Sequence, residues 1–182
     1  MPTYRRARTA GGTYFFTVVT YRRQAIFVKP ESRTLLRDAI KIVQQRHPFT
    51  IEAWVLLPDH LHAIWTLPQG DEDYSKRWGR IKAGFSRKAK QFFHHDEWMN
   101  PTKTRRREST IWQRRYWEHQ IRDDDDFRIH MDYLHYNPVK HGLVERVVDW
   151  PYSTFHRYVQ QGRYPVEWGG QMAPVEGVFG ES

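Results

Sequence analysis

Short alternating runs and longer runs at helical spacing divide the 182-residue chain between them. Thr13 to Tyr21 alternates and is rich in aromatic and β-branched side chains, which predicts a first strand. Glu31 to Arg46 sets Leu35, Leu36, Ala39, Ile40 and Val43 at helical spacing, with Ser32 as a cap and His47-Pro48 as the stop. Two extended runs follow, Ile51 to Leu56 and Ala63 to Leu67, with a bend at Pro58-Asp59 between them. Tyr74 to His94 reads as a helix whose apolar stripe is Trp78, Ile81, Phe85, Ala89 and Phe92. Glu97 to Thr110 reads as a flexible basic loop, and Glu118 to Arg122 as another strand. From Phe127 the spacing is helical again, with Ile129, Tyr133 and Tyr136 on one side. Asp123 to Asp126 suit its N-terminus, and Pro138 is expected to stop it. A short helix from Thr154 to Gln161 ends at Gly162-Arg163-Tyr164-Pro165. This order predicts an α+β sandwich: an antiparallel sheet with helices on one face. One domain is expected over residues 1–165, with 166–182 as a tail.

Charge changes the picture next. The formal net charge is +8, which calls for a polyanionic partner such as nucleic acid. Cations gather at Arg5, Arg6 and Arg8 beside Tyr4, along the Tyr74 helix at Arg77, Arg80, Lys82 and Arg87, and at Arg105 and Arg106. Arg114 and Arg115 lie among Trp112, Tyr116 and Trp117, a mixture suited to unpaired bases, which stack on rings while arginine takes phosphates. A strand packing its tryptophans into the core accounts for the same rings. The absence of cysteine removes disulfides, thiolate metal sites and cysteine nucleophiles together. No apolar run approaches the roughly 20 residues that cross a bilayer, and Met1 to Arg6 has no signal-peptide core, so a cytoplasmic protein is expected.

The candidate chemistry lies in two stretches. In Asp59-His60-Leu61-His62 the period of two sends both imidazoles to one side of a strand, where a pair can grip a divalent cation. In the Phe127 helix, Tyr133 and Asn137 are one turn apart, about 6 Å along the axis, so a phenol and an amide oxygen share a face. A histidine-triad phosphohydrolase would want a third imidazole at position 64, which is Ile.

These residues carry a resemblance. His60-Leu61-His62 is similar to the His-hydrophobic-His signature of HUH single-strand nucleases. Tyr133-Leu134-His135-Tyr136-Asn137-Pro138-Val139 resembles the Tyr-x-His-x-Asn-Pro-Val block of single-tyrosine transposases. With Gly12 to Thr17, Trp112-Gln113, Tyr116 to His119 and Trp150 to Phe155 in order between Tyr4 and Trp168, the chain resembles the REP-associated tyrosine transposases. Asp59 departs from the family, in which Asn often precedes the first histidine. The resemblance implies a ferredoxin-like fold and a Tyr133 nucleophile that becomes 5′-phosphotyrosine. It also implies Mg²⁺ or Mn²⁺ on His60, His62 and Asn137, and single-stranded DNA with REP-type hairpins as substrate. A monomer without the swapped-tyrosine dimer of insertion-sequence transposases is expected. The alternative is a hairpin-binding module that has lost catalysis.

Overall fold

The computed structural model describes residues 9–169 and 179–180. Four strands, β1 (Thr13–Val19), β2 (Thr50–Leu56), β3 (His60–Thr66) and β4 (Trp117–Gln120), form one antiparallel sheet in the order β2-β3-β1-β4. Helix α1 (Pro30–Arg46) follows β1, and α2 (Tyr74–Phe93) follows β3. The β-α-β-β-α-β order with this strand arrangement is the ferredoxin-like sandwich, so the α+β class is as the sequence predicts. Pro30 opens α1 with a preset φ, and Asp73 Oδ1 caps α2 by accepting from Lys76 N at 3.0 Å.

The sheet differs from the expectation in what covers it. Tyr14, Phe16, Val18, Leu61, Ala63 and Trp65 face α1 and α2, where Trp65 stacks on Trp78 with ring centroids 4.1 Å apart. Phe15, Ala53, Val55 and Ile64 face the other way, into a second cluster with Met131, Tyr133 and Leu134. Those three belong to α4 (Asp124–Lys140), so helices lie on both faces. Both faces of β3 are therefore buried. The stripe expected at Ile129, Tyr133 and Tyr136 is also turned: Ile129 is exposed, while His130, Met131, Leu134 and His135 are buried.

Two local expectations are corrected. The Glu97–Thr110 stretch contains a short helix, α3 (Pro101–Arg105), capped by Asn100, with the Lys103 ammonium buried over the Tyr21 ring. And Pro138 does not end α4. A proline lacks the N–H of one helical bond, but the turn beyond it is closed by His141 N to Asn137 O at 3.0 Å and Leu143 N to Pro138 O at 2.9 Å. Gly142, at φ +66°, takes the left-handed step that finishes the helix. After it, α5 (Phe155–Gln160) lies along the outer edge of β2. Trp54 N donates to Thr154 Oγ1, Leu56 N to Tyr152 O and the Tyr158 hydroxyl to Glu52 O, which closes that edge. In the stretch expected as a tail, Trp168 packs on Tyr164 and Phe179 joins the second cluster.

Candidate active site

Strand β3 places His60 and His62 on the α4 side of the sheet with ring centroids 5.1 Å apart, both fully inside the protein. Their protonation follows from their partners. The Thr17 hydroxyl, opposite His62 in the β1–β3 ladder, donates its one proton to the Phe179 carbonyl at 2.6 Å. The proton in its 2.8 Å bond with His62 Nδ1 must therefore come from the histidine. His60 Nδ1 likewise faces a carboxylate, Asp59 Oδ1, at 2.5 Å. Both imidazoles thus carry hydrogen on Nδ1, so that in the neutral ring the lone pair lies on Nε2. His60 Nε2 is buried with no hydrogen-bond partner. Burial works against charge on Asp59, but hydrogen bonds from His60 and Arg23 hold its carboxyl below the ordinary range. Arg23 reaches Asp59 at 3.2 Å from a turn in which Arg22 and Arg23 both take left-handed φ, of 54° and 51°.

Helix α4 starts at Asp123, whose carboxylate accepts from Asp126 N at 2.8 Å, and its first turn is acidic, as the helix dipole favours. Along its inner side Tyr133, Asn137 and His141 follow at successive turns. The Tyr133 ring meets His62 edge-on at 5.4 Å, and the His141 ring meets His60 at 5.1 Å. Asn137, on the turn between them, is completely buried. The structure thus brings His60, His62 and Tyr133 together, with Asn137 buried one turn beyond Tyr133. Tyr133 is 4% exposed, and one face of its ring is covered by Phe179 at 3.6 Å. Lys140 Nζ donates to the Tyr133 hydroxyl oxygen at 3.0 Å. Neither Lys140 nor the Thr17 support stands out in the sequence, and Asp59 does so only as a departure from the family's Asn. Lys140 lies seven residues beyond Tyr133, a helical spacing that the expected stop at Pro138 hides.

A second group of potential ligands, His119, Asp126 and His130, lies within 4.8 Å. It is a hydrogen-bonded relay rather than a metal cradle. The two imidazole planes are stacked at 12° with centroids 4.4 Å apart, so their in-plane lone pairs cannot converge on one ion. His130 Nδ1 lies 2.8 Å from the Asp126 carbonyl, which can only accept, so that nitrogen carries a proton. Burial opposes charge on Asp126, yet bonds from His119 and Arg122 lower its carboxyl to about 2.

The basic residues divide. Arg80, Arg87, Arg105, Arg106, Arg114 and Arg115 are exposed, and Lys82 is half-buried, donating to Gln113 O at 2.9 Å. Lys82, Arg87 and Arg114 border a groove of about 400 Å³ between α2 and the segment before β4. Arg77 does not belong with them. It is 3% exposed, paired with Asp71 at 2.6 Å and bonded to the Pro48 and Asp73 carbonyls, so it ties the start of α2 to the turn before it. Trp112 packs between Phe27 and Phe85 in the core and has no face for a base. Tyr4, Arg5, Arg6 and Arg8 lie outside the described residues.

A ferredoxin-like sheet with two histidines on an inner strand, met by a tyrosine from a helix, is the arrangement of the single-tyrosine transposase class. Residues 10–137 match the family model described as "Transposase IS200 like", and the chain belongs to that family. Within it, the chain is 47% identical over 172 residues to the REP-associated tyrosine transposase of Escherichia coli K12, covering 94% of this chain and 93% of that one. A solved structure described as the REP-associated tyrosine transposase bound to a REP hairpin superimposes with a TM-score of 0.84 at 43% identity. That match covers 100% of this chain and 98% of the other.

Proposed function

We propose that this transposase is a metal-dependent single-strand DNA nuclease and strand transferase that acts beside REP-type hairpins through a covalent link to Tyr133. The observation that carries the reading is the contact of Tyr133 with His62 across the α4 face of the sheet, within one chain. The Tyr133 oxygen, its proton given up to solvent, attacks the phosphorus in line. An O–P bond forms, the bond to the 3′ oxygen breaks, and that oxygen takes up a proton and leaves as a 3′-OH. The phosphodiester energy stays in the 5′-phosphotyrosine, so a 3′-OH can reverse the attack and rejoin strands without a nucleotide cofactor.

The residues present fit a divalent ion. Both Nε2 lone pairs are fixed by hydrogen bonds at Nδ1, the usual outer support of a metal-bound histidine. His60, His62 and Asn137 would hold Mg²⁺ or Mn²⁺, which when bound neutralises charge on the scissile phosphate. Two nitrogens and one oxygen suit Mn²⁺ better on grounds of softness. Thr17 and Asp59 orient the two imidazoles, and burial keeps water from competing.

Binding falls to the exposed cations. Arg80, Arg87, Arg105, Arg106, Arg114, Arg115 and Lys82 would follow the phosphates, and Tyr4, Arg5, Arg6 and Arg8 would add an arm. The hairpin named for the solved relative is the substrate class proposed here. A monomer is consistent with a site complete in one chain and with a β2 edge closed by Thr154 and Tyr152. Among the described residues no helix is long and apolar enough to cross a membrane, and a DNA substrate fits a cytoplasmic protein. The test uses a labelled single-stranded hairpin oligonucleotide with Mn²⁺ and a denaturing gel. Wild type should form a protein–DNA adduct, and Tyr133→Phe should form none while binding the hairpin as well. An adduct in the Phe variant would move the nucleophile elsewhere, with Tyr136 next to be tested. Binding by wild type without any adduct would favour the hairpin-binding module.

A further inference from the structure

The carboxyl end of α4 holds a cation where the reaction would take place. Lys140 Nζ is 3.0 Å from the Tyr133 hydroxyl oxygen and 4.8 Å from the centre of its ring. Lys140 is an exposed residue, whereas Tyr133 is 4% exposed, so the lysine reaches in from the mouth of the site to a buried phenol. A solvent-facing lysine ordinarily keeps its head group in water, which hydrates an ammonium strongly. Here the extra turn of helix beyond Pro138, closed at Gly142, holds its backbone where the side chain can turn back over the phenol.

We infer that Lys140 is a catalytic residue of the transfer step. It holds the attacking oxygen and meets the phosphate charge as the Tyr133–phosphorus bond forms. The inference rests on the nuclease reading above. As the oxygen joins phosphorus and the bond to the 3′ oxygen breaks, charge develops on the non-bridging oxygens within reach of whatever touches the nucleophile. An ammonium is a point charge with three donors, so a bond to the phenol oxygen is compatible with another to a phosphate oxygen. Fixing Oη against the ammonium also limits rotation of the phenol away from the line of attack. The sheet histidines approach Tyr133 from the His62 side, and Lys140 comes from its own helix, so the nucleophile is held from two directions.

The experiment compares wild type, Lys140→Met, Lys140→Arg and Tyr133→Phe. It measures single-turnover adduct formation on the single-stranded hairpin oligonucleotide with Mn²⁺, and hairpin affinity by fluorescence anisotropy. Lys140→Met should slow adduct formation about 10²-fold, the scale set by removing one preorganised donor from a developing charge, with affinity unchanged. Lys140→Arg, which keeps the charge on a different frame, should recover part of the rate. Rejoining, started by adding a strand with a 3′-OH to purified adduct, should slow in the Met variant as well. A Met variant as fast as wild type would overturn the role. So would a rate loss matched by an equal loss of affinity, because Lys140 would then be an ordinary phosphate contact. If wild type forms no adduct, the nuclease reading itself fails and this one falls with it.

Discussion

At the scale of single residues, the position of two protons decides what the histidine pair can hold. Thr17 gives its only proton to Phe179, and Asp59 is a carboxylate held charged by His60 and Arg23, so both imidazoles are driven to the Nδ1-protonated form. In the neutral rings the lone pairs are then both on Nε2. Asp59→Ala should weaken Mn²⁺ binding by about 10–100-fold, the usual cost of an outer-shell partner, as read by calorimetry without DNA. His60→Ala should abolish that binding yet leave hairpin affinity largely intact, since a bound metal would bear on one phosphate only. Mn²⁺ affinity unchanged in Asp59→Ala would mean that the carboxylate does not orient His60. The pair and Tyr133 were legible in the sequence because a period of two and a helical turn are enough to place them. Arg77 was not. Nothing in a run of cations distinguishes the one that turns inward to Asp71 from its exposed neighbours.

At the scale of elements, α4 carries most of what the sequence left unread. Its boundary was misplaced by Pro138, because a proline near a helix end removes one bond while later residues can still close the turn. That last turn supplies Lys140 and His141. Gly142 should be needed for it. No atom lies within 4 Å of a Cβ added there, so Gly142→Ala carries only the strain of φ +66°, about 1 kcal/mol, visible as a lowered melting temperature. Adduct formation should slow as well, since Lys140 sits two residues earlier. An Ala variant with wild-type melting and rate would show that the left-handed step is dispensable.

The same helix contains a pH-sensitive contact away from the site. His135 is buried among Phe155, Tyr158 and Tyr164, with Nε2 2.9 Å from Thr154 Oγ1, and burial lowers its pKa to about 3. In the unfolded chain it returns to the ordinary value of 6.5. Between these values the unfolded state binds the extra proton, so stability is complete above 6.5 and declines as pH falls toward 3. The slope is at most about 1.4 kcal/mol per pH unit. Urea denaturation at pH 7.5 and pH 5 should show the decline, and His135→Gln should flatten it. An equal decline in the variant would assign the effect to other groups.

At the scale of the molecule, the antiparallel class was readable because β-α-β-β order admits few arrangements, whereas the coverage of the sheet was not. A helix following the last strand of a ferredoxin-like unit can return to either face. The second apolar set on Phe15, Val55 and Ile64 identifies that face only once the register is known. With α4 on that side, Tyr133 and the histidines meet within one chain, and the exposed arginines are the surface proposed for DNA. Hairpin affinity should therefore fall steeply with salt, with a log–log slope of about −0.7 for each phosphate contacted on a single strand. A flat response would remove the basic surface from the account.

The central claim is that Tyr133 attacks a phosphate in an unpaired strand beside a hairpin. A stacked duplex keeps its backbone stiff, whereas a single strand can bend so that its phosphate reaches a phenol recessed beside the sheet. The direct test is adduct formation with Mn²⁺ on one labelled hairpin oligonucleotide, alone and annealed to its full complement. The account predicts a Tyr133-dependent adduct on the single-stranded form and none on the duplex. Equal adduct on both forms, or an adduct that survives Tyr133→Phe, would contradict it.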